Sequence, residues 1–141
     1  MPVPIAGIDP HQDNFTVAVI DPAGVELSHH SYENSSAGYL EAIDFLGEHR
    51  VELVGVEGSA SWGAHIAIAL VAAGFDCREV PAQRSAMQRR ARRADKTDTV
   101  DAYSAARALQ AEPHLGPVQT LEVYDPLVAK IEQCSNTANP L

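Results

Sequence analysis

The first 33 residues constrain the fold most strongly, because three strand patterns follow one another there without a single lysine or arginine. Residues 3–9 are apolar enough for a central strand. Residues 14–21 place large apolar side chains at every second position, which is the period of a half-buried strand. The "DPAG" sequence at 21–24 has the proline and glycine of a tight turn, and residues 25–33 form a third strand pattern. We therefore expect an antiparallel meander.

Helix and strand patterns alternate after this meander. The predicted elements are a helix at 35–49 that begins at a serine cap, a strand at 52–58, a helix at 61–74 closed by Gly74, a strand at 75–81, and helical residues from about 83 to 111. Right-handed crossovers would make the first, fourth and fifth strands parallel. This order predicts an α/β protein of the ribonuclease H-like fold, with a five-stranded mixed sheet flanked by helices.

The composition fits one globular domain. A chain of 141 residues with 45% apolar residues can bury a sizeable core. The longest apolar run, at 66–73, is too short for a membrane span of ~20 residues, and the N-terminus lacks the pattern of a signal peptide. Cys77 and Cys134 are far apart and do not form a CxxC pair, which argues against a disulfide framework or a thiolate metal site. We expect a cytoplasmic protein with no membrane partner.

Four acids are predicted to meet at one edge of the sheet. Asp9 ends the first strand and Glu57 ends the fourth, so their carboxylates emerge together if these strands are parallel neighbours. The helix that carries Asp98 and Asp101 one turn apart can pack across the same edge. We call these four residues the acidic group. Four carboxylates without a predicted balancing base favour a divalent cation, Mg²⁺ or Mn²⁺, of the kind used in phosphodiester chemistry.

Three of the four acids also have a simpler interpretation on their own. Asp9 could start a turn with Pro10, Glu57 could cap the following helix, and Asp98 could be an N-cap residue. The coincidence of all four at one edge favours the metal interpretation. His11 lies close by in the sequence, but the turn expected at Pro10 breaks the strand alternation, so we interpret His11 as a neighbour of the site rather than a ligand.

The positive charges are concentrated in one segment. The net charge is −9, yet seven of the ten lysines and arginines lie between 84 and 107. On one continuous helix, Arg89, Arg92, Arg93 and Lys96 would recur at i, i+3, i+4 and i+7. We call these four residues the basic segment. Most charge runs are simply solvated, but the adjacent acids favour contact with a nucleic-acid backbone, because arginine binds two phosphate oxygens at once.

Three sequence stretches carry a family resemblance. "GIDPHQDNFTVAVID", "GVEGSASWG" and "KTDTVDAYSAARAL" together resemble the N-terminal, RuvC-like domain of the DEDD transposases of the insertion-sequence 110 family, over roughly residues 5 to 110. The resemblance places the family's catalytic, metal-binding acids on Asp9, Glu57, Asp98 and Asp101. It implies a recombinase domain that binds DNA and an element-encoded guide RNA, and that contributes to DNA strand cleavage and transfer.

The resemblance also shapes the expected domain organisation. Residues 1–111 correspond to the RuvC-like domain, and residues 112–141 are expected to be a linker and a truncated tail. Complete members are expected to be homo-oligomers and to carry a C-terminal transposase domain with a serine nucleophile, which nothing here matches. We therefore expect this chain to lack the full activity. Two alternatives are a stand-alone metal-dependent nuclease of the same fold and a nucleic-acid-binding remnant without catalysis.

Overall fold

Five strands form one mixed sheet in the computed structural model, which describes residues 3–92 and 96–118. In chain order the elements are β1 (Ile5–Pro10), β2 (Asn14–Ile20), β3 (Glu26–Glu33), α1 (Ser36–Glu48), β4 (Leu53–Glu57), α2 (Ala64–Ala72), β5 (Asp76–Val80), α3 (Ala82–Ala91) and α4 (Asp98–Ala111). No helix among these described residues is both long enough and apolar enough to cross a membrane.

The strand order across the sheet is β3-β2-β1-β4-β5. The β1–β2 and β2–β3 pairs are antiparallel, whereas β1, β4 and β5 are mutually parallel. This arrangement confirms the predicted mixed sheet. Because β1 and β4 run in the same direction with Ile8 opposite Val56, the residues that follow, Asp9 and Glu57, emerge at the same edge.

The two faces of the sheet are covered by different helices. On one face, α1 and α2 pack against alternate strand residues in a core that includes Ile8, Phe15, Leu46 and Leu70. On the opposite face, α4 packs its alanine-rich surface against β1, β2 and β4. The period-two pattern of the central strands thus separates two hydrophobic layers.

Two glycines set the distance between α4 and the sheet. Gly7 and Gly55 are register partners on β1 and β4. A Cβ atom at Gly7 would lie 2.1 Å from the carbonyl oxygen of Ala102, and one at Gly55 would lie 3.3 Å from that of Ala105. The α4 backbone therefore rests directly on the strands. Since residues two apart on a strand share a face, Asp9 and Glu57 lie on this same face, towards α4.

The helical stretch predicted at 83–111 is two helices rather than one. α3 ends at Ala91, with Arg92 as its C-cap residue, and α4 starts after Thr97. The Thr97 hydroxyl accepts a hydrogen bond from the Val100 N–H at 3.1 Å, which is the N-cap contact that begins a new helix. The basic segment therefore does not form a stripe on one helix: Lys96 lies between α3 and α4, and Arg93 lies outside the described residues.

Packing continues beyond α4 in the segment expected to be a linker. The carbonyl oxygen of Gly116 accepts a hydrogen bond from the Glu79 N–H at 2.9 Å, and the Val118 N–H donates to the Cys77 carbonyl at 3.2 Å. Val118 is buried against the same core as α1 and α2. Residues up to Val118 therefore line the outer edge of β5, and the remainder of the expected tail, 119–141, lies outside the described residues.

Candidate active site

Asp9 is the most buried member of the acidic group together with Asp101; each residue is 6% exposed. Burial raises the pKa of Asp9 from 3.8 to about 6, the hydrogen bond and charge of His11 oppose that rise, and the nearby Asp101 and Glu57 carboxylates add to it. The Asp9 carboxylate therefore lies within electrostatic reach of acids from β4 and α4, as the sheet geometry predicts.

His11 lies between two of these acids. Its Nε2 atom is 2.8 Å from Oδ2 of Asp9 and 3.1 Å from Oδ1 of Asp98. Partial desolvation lowers the pKa of His11, but its hydrogen bonds and the charges of the two carboxylates outweigh this effect and raise the pKa above 6.5. The candidate ligand atoms of Asp9, His11 and Asp98 all lie within 4.8 Å of one another. His11 is thus part of the cluster and not merely next to it.

The backbone of His11 is fixed by hydrogen bonds from two directions. Its N–H donates to the Asn14 carbonyl at 2.8 Å, and its carbonyl accepts from Nδ2 of Asn34 at 2.8 Å. The same Asn34 amide also donates to the Trp62 carbonyl at 3.1 Å. Asn34 therefore connects the β1–β2 turn to the turn that follows β4. No local sequence pattern indicated Asn34, because its partners lie 23 and 28 residues away along the chain.

Glu79 holds the turn that follows Glu57. On β5, its carboxylate accepts hydrogen bonds from the N–H groups of Gly58, at 3.2 Å, and Ser59, at 3.1 Å, and also from the Ser59 hydroxyl. Gly58 has a φ of +72°, a conformation that glycine adopts without strain. No local sequence pattern indicated Glu79 either, because the amide groups that it binds lie 20 and 21 residues earlier in the chain.

Asp98 and Asp101 lie in the first turn of α4, where the helix dipole favours negative charge. Asp101 is additionally paired with two bases: Nη1 of Arg89 is 3.2 Å from its Oδ1, and Nζ of Lys96 is 3.4 Å from its Oδ2. The expectation that the acids lack a balancing base is therefore wrong. Cations from α3 and from the α3–α4 connection, together with His11, offset the repulsion between the two aspartates.

The donor atoms at this edge fit a divalent cation. Carboxylate oxygens are the ligands that Mg²⁺ and Mn²⁺ prefer, and an imidazole nitrogen can complete such a set. The structure brings Asp9 and Asp98 together around His11 within ligand distance of one another. Asp101 and Glu57 lie close enough to influence the pKa of Asp9, with Asp101 engaged by Arg89 and Lys96.

Two described residues of the basic segment border the acids directly. Arg89 and Lys96 contact Asp101, and the Lys96 side chain is 73% exposed. Arg92 is exposed immediately after α3. Two cationic side chains therefore lie beside Asp101, one from α3 and one from the α3–α4 connection.

Sequence comparison decides the family. A family model described as a transposase, of the DEDD insertion-sequence 110 type, matches residues 6–139. The chain belongs to the insertion-sequence 110 family of DEDD transposases. This match confirms the resemblance and extends beyond residue 110, into the segment expected to be a tail. No curated protein matches the sequence.

Three solved structures, two of RuvC and one of a viral resolvase, have a similar fold. RuvC from Thermus thermophilus in complex with a Holliday junction substrate has a TM-score of 0.63 at 14% identity, covering 82% of this transposase-family chain and 99% of the RuvC chain. Another Thermus thermophilus RuvC structure gives 0.60 at 15% identity, with the same coverage. Fowlpox virus resolvase with Holliday junction DNA gives 0.53 at 9% identity, covering 79% and 99% of the two chains. These similarities establish the RuvC-like fold.

Proposed function

We propose that this domain binds DNA and contributes to phosphodiester cleavage at the acidic group, with divalent cations held by Asp9, Glu57, Asp98 and Asp101. The main supporting observation is the convergence of the Asp9 and Asp98 carboxylates on His11 within 4.8 Å, at the sheet edge where α4 begins. Membership of a transposase family supports the same conclusion.

The chain's own residues supply the positioning that such chemistry needs. Bound Mg²⁺ or Mn²⁺ would activate the attacking oxygen and stabilise the leaving oxygen. The contact of Gly7 with α4 fixes the spacing between β1 and the first turn of α4, and so between Asp9 and the two aspartates of that turn. Arg89 and Lys96 lie within reach of a phosphate that approaches Asp101, because both already contact this carboxylate.

The cleavage proposal is tested with supercoiled plasmid DNA and millimolar Mn²⁺ or Mg²⁺. We expect nicking that Asp9→Asn abolishes, since the buried carboxylate is lost with little change in shape. Asp13→Asn is the matched control, because Asp13 is an exposed acid in the adjacent turn. Equal nicking by the parent chain and Asp9→Asn, when circular dichroism shows that both proteins are folded, would contradict the proposed site.

The DNA-binding proposal assigns the basic segment to the phosphate backbone. Binding that neutralises n phosphates of duplex DNA should weaken with salt with a log–log slope of about −0.9n. We expect Arg92→Gln to flatten this slope by about one unit, whereas Arg50→Gln should not, since Arg50 is an exposed arginine at the opposite edge of the sheet. An identical slope for both variants would assign Arg92 to the solvated surface.

We further propose, from family membership, that the full reaction includes strand transfer by a homo-oligomer directed by an element-encoded guide RNA. The test is recovery of RNA with the protein expressed beside its encoding DNA element, followed by sequencing of that RNA. Enrichment of a transcript from the element is the expected result. RNA of random origin would contradict the guide-RNA proposal without affecting the cleavage proposal.

A stand-alone nuclease is the second candidate. It is favoured by the comparison with RuvC, whose chain is matched over 99% of its length by the fold present here. A nuclease yields nicked or linear plasmid without recombinant joints, whereas a transposase yields joints as well. Salt-sensitive DNA binding without metal-dependent nicking would instead indicate a binding domain without catalysis.

A further inference from the structure

His11 is held more firmly than an ion pair at the protein surface would require. Its side chain is 45% exposed and Asp98 is 58% exposed, so an ion pair between them would contribute little to stability in water. Yet the Asn14 carbonyl and the Asn34 side-chain amide hold the His11 backbone by hydrogen bonds. The Nε2 atom of His11 lies close to two carboxylates at once. A side chain fixed in this way is prepared to act on whatever the carboxylates bind.

The imidazole can present a lone pair to a cation at this point. A cation that takes the place of the Nε2 proton leaves the neutral imidazole protonated on Nδ1, which makes no hydrogen bond within the described residues and belongs to a half-exposed ring. Nε2 is then a nitrogen donor directed at the space shared with Asp9 and Asp98. The three donors lie within 4.8 Å of one another, a separation that one metal ion can bridge.

We propose that His11 is a direct ligand of the metal bound by the acidic group, and that its nitrogen gives the site a preference for Mn²⁺ and Co²⁺ over Mg²⁺. This inference rests on the proposed function, because it concerns the cation that the acidic group holds. Mg²⁺ favours oxygen ligands, whereas an imidazole ligand increases the affinity of a site for transition-metal ions. This increase is larger for Co²⁺ than for Mn²⁺. This proposal differs from the sequence interpretation of His11 as a neighbour of the site.

The test is isothermal titration of the full chain with Mg²⁺, Mn²⁺ and Co²⁺. We expect His11→Ala to weaken Co²⁺ binding by at least about tenfold, and Mn²⁺ binding by less, while Mg²⁺ binding changes by less than about threefold. His114→Ala is the matched control, because His114 is an exposed histidine beyond α4. In the parent chain, Co²⁺ should also produce a strongly shifted proton NMR signal from the Nδ1–H of His11, absent from His11→Ala.

Three results would overturn the inference, and they have different meanings. An equal loss for all three ions would show that His11 only positions the carboxylates. Tighter binding of all ions by His11→Ala would show that the imidazole competes with the metal. No saturable binding by the parent chain would overturn the proposed metal site together with this inference. If His11→Ala does not fold, His11→Gln tests the same point, since it retains a polar side chain but replaces the ring nitrogen with amide groups.

Discussion

Gly7 shows how a single residue determines the geometry of the acidic group. An added Cβ atom would lie 2.1 Å from the Ala102 carbonyl oxygen and 2.4 Å from the Ala106 nitrogen, and both are backbone atoms that cannot rotate away. Any larger residue must push α4 off the sheet. Such a shift would also move Asp98 and Asp101 relative to Asp9.

We therefore expect Gly7→Ala to lower the free energy of unfolding by about 3 kcal/mol, at the upper end of the usual cost of overpacking. Gly47→Ala is the matched control, because Gly47 is helical and has no atom within 4 Å of an added Cβ. That control should gain about 0.5–1 kcal/mol from helix propensity. Urea denaturation measures both changes. Similar effects for the two substitutions would contradict the close contact.

The buried thiol of Cys77 should make the stability of the folded protein depend on pH. Burial, with a smaller contribution from the Asp76 charge, raises the pKa of the Cys77 thiol to about 12. The unfolded thiol ionises near pH 8.5, so the stabilising effect of the raised pKa is complete below this pH and is lost as the pH rises towards 12. Between these values the free energy of unfolding should fall by about 1.4 kcal/mol per pH unit through this thiol.

The measurement compares urea denaturation of the parent chain and Cys77→Ala at pH 8 and pH 10. Other groups titrate in the same range, but they are common to both proteins and cancel in the difference. The parent chain should lose more stability than Cys77→Ala over this interval. Parallel losses would show that the thiol is accessible to solvent in the folded protein.

Among secondary-structure elements, the turn after β4 depends on a single side chain. Glu79 accepts hydrogen bonds from the N–H groups of Gly58 and Ser59, which immediately follow Glu57. These contacts hold the end of β4 and the entry to α2 together. We infer that Glu79 positions Glu57 through the backbone, without contacting a substrate itself.

We expect Glu79→Gln to lower the free energy of unfolding by about 1–3 kcal/mol, because its amide nitrogen cannot accept the hydrogen bonds that the carboxylate accepts. Amide hydrogen exchange at Gly58 and Ser59 should accelerate more than exchange elsewhere in the sheet. Glu52→Gln, at an exposed position just before β4, is the control and should leave both amides protected. Unchanged protection in Glu79→Gln would rule out this role.

The elements also show what the sequence could and could not predict. The order and pairing of the strands follow from hydrophobic periodicity and the handedness of crossovers, which are local properties. The break between α3 and α4 was missed because helix-forming residues continue through it, although Thr97 followed by Asp98 and Asp101 carries an N-terminal signal. The roles of Asn34 and Glu79 depend on partners brought together only by the complete sheet, so no local pattern indicated them.

Over the whole molecule, the charge is distributed unevenly, in a way that fits the proposed DNA binding. The net charge is −9, so most of the surface repels a phosphate backbone, while seven of the ten lysines and arginines occur between 84 and 107. Arg89 and Lys96 place part of this positive charge beside the acidic group. A uniform charge pattern would allow many orientations of DNA, but this one favours approach at the edge where α4 begins.

Because α4 rests directly on the sheet, we expect that the domain can be reassembled from two fragments split between α3 and α4. Nine consecutive residues of this helix, 101–109, are buried, and Gly7 and Gly55 let its backbone lie directly against β1 and β4. A synthetic peptide spanning 96–118 should therefore complement a separately produced fragment ending at residue 92. Recovery of the parent chain's circular dichroism should saturate at one peptide per fragment, and a peptide with Ala102→Trp should fail to compete. Split in this way, the domain would act as a switch whose acidic group is assembled only when its two pieces meet.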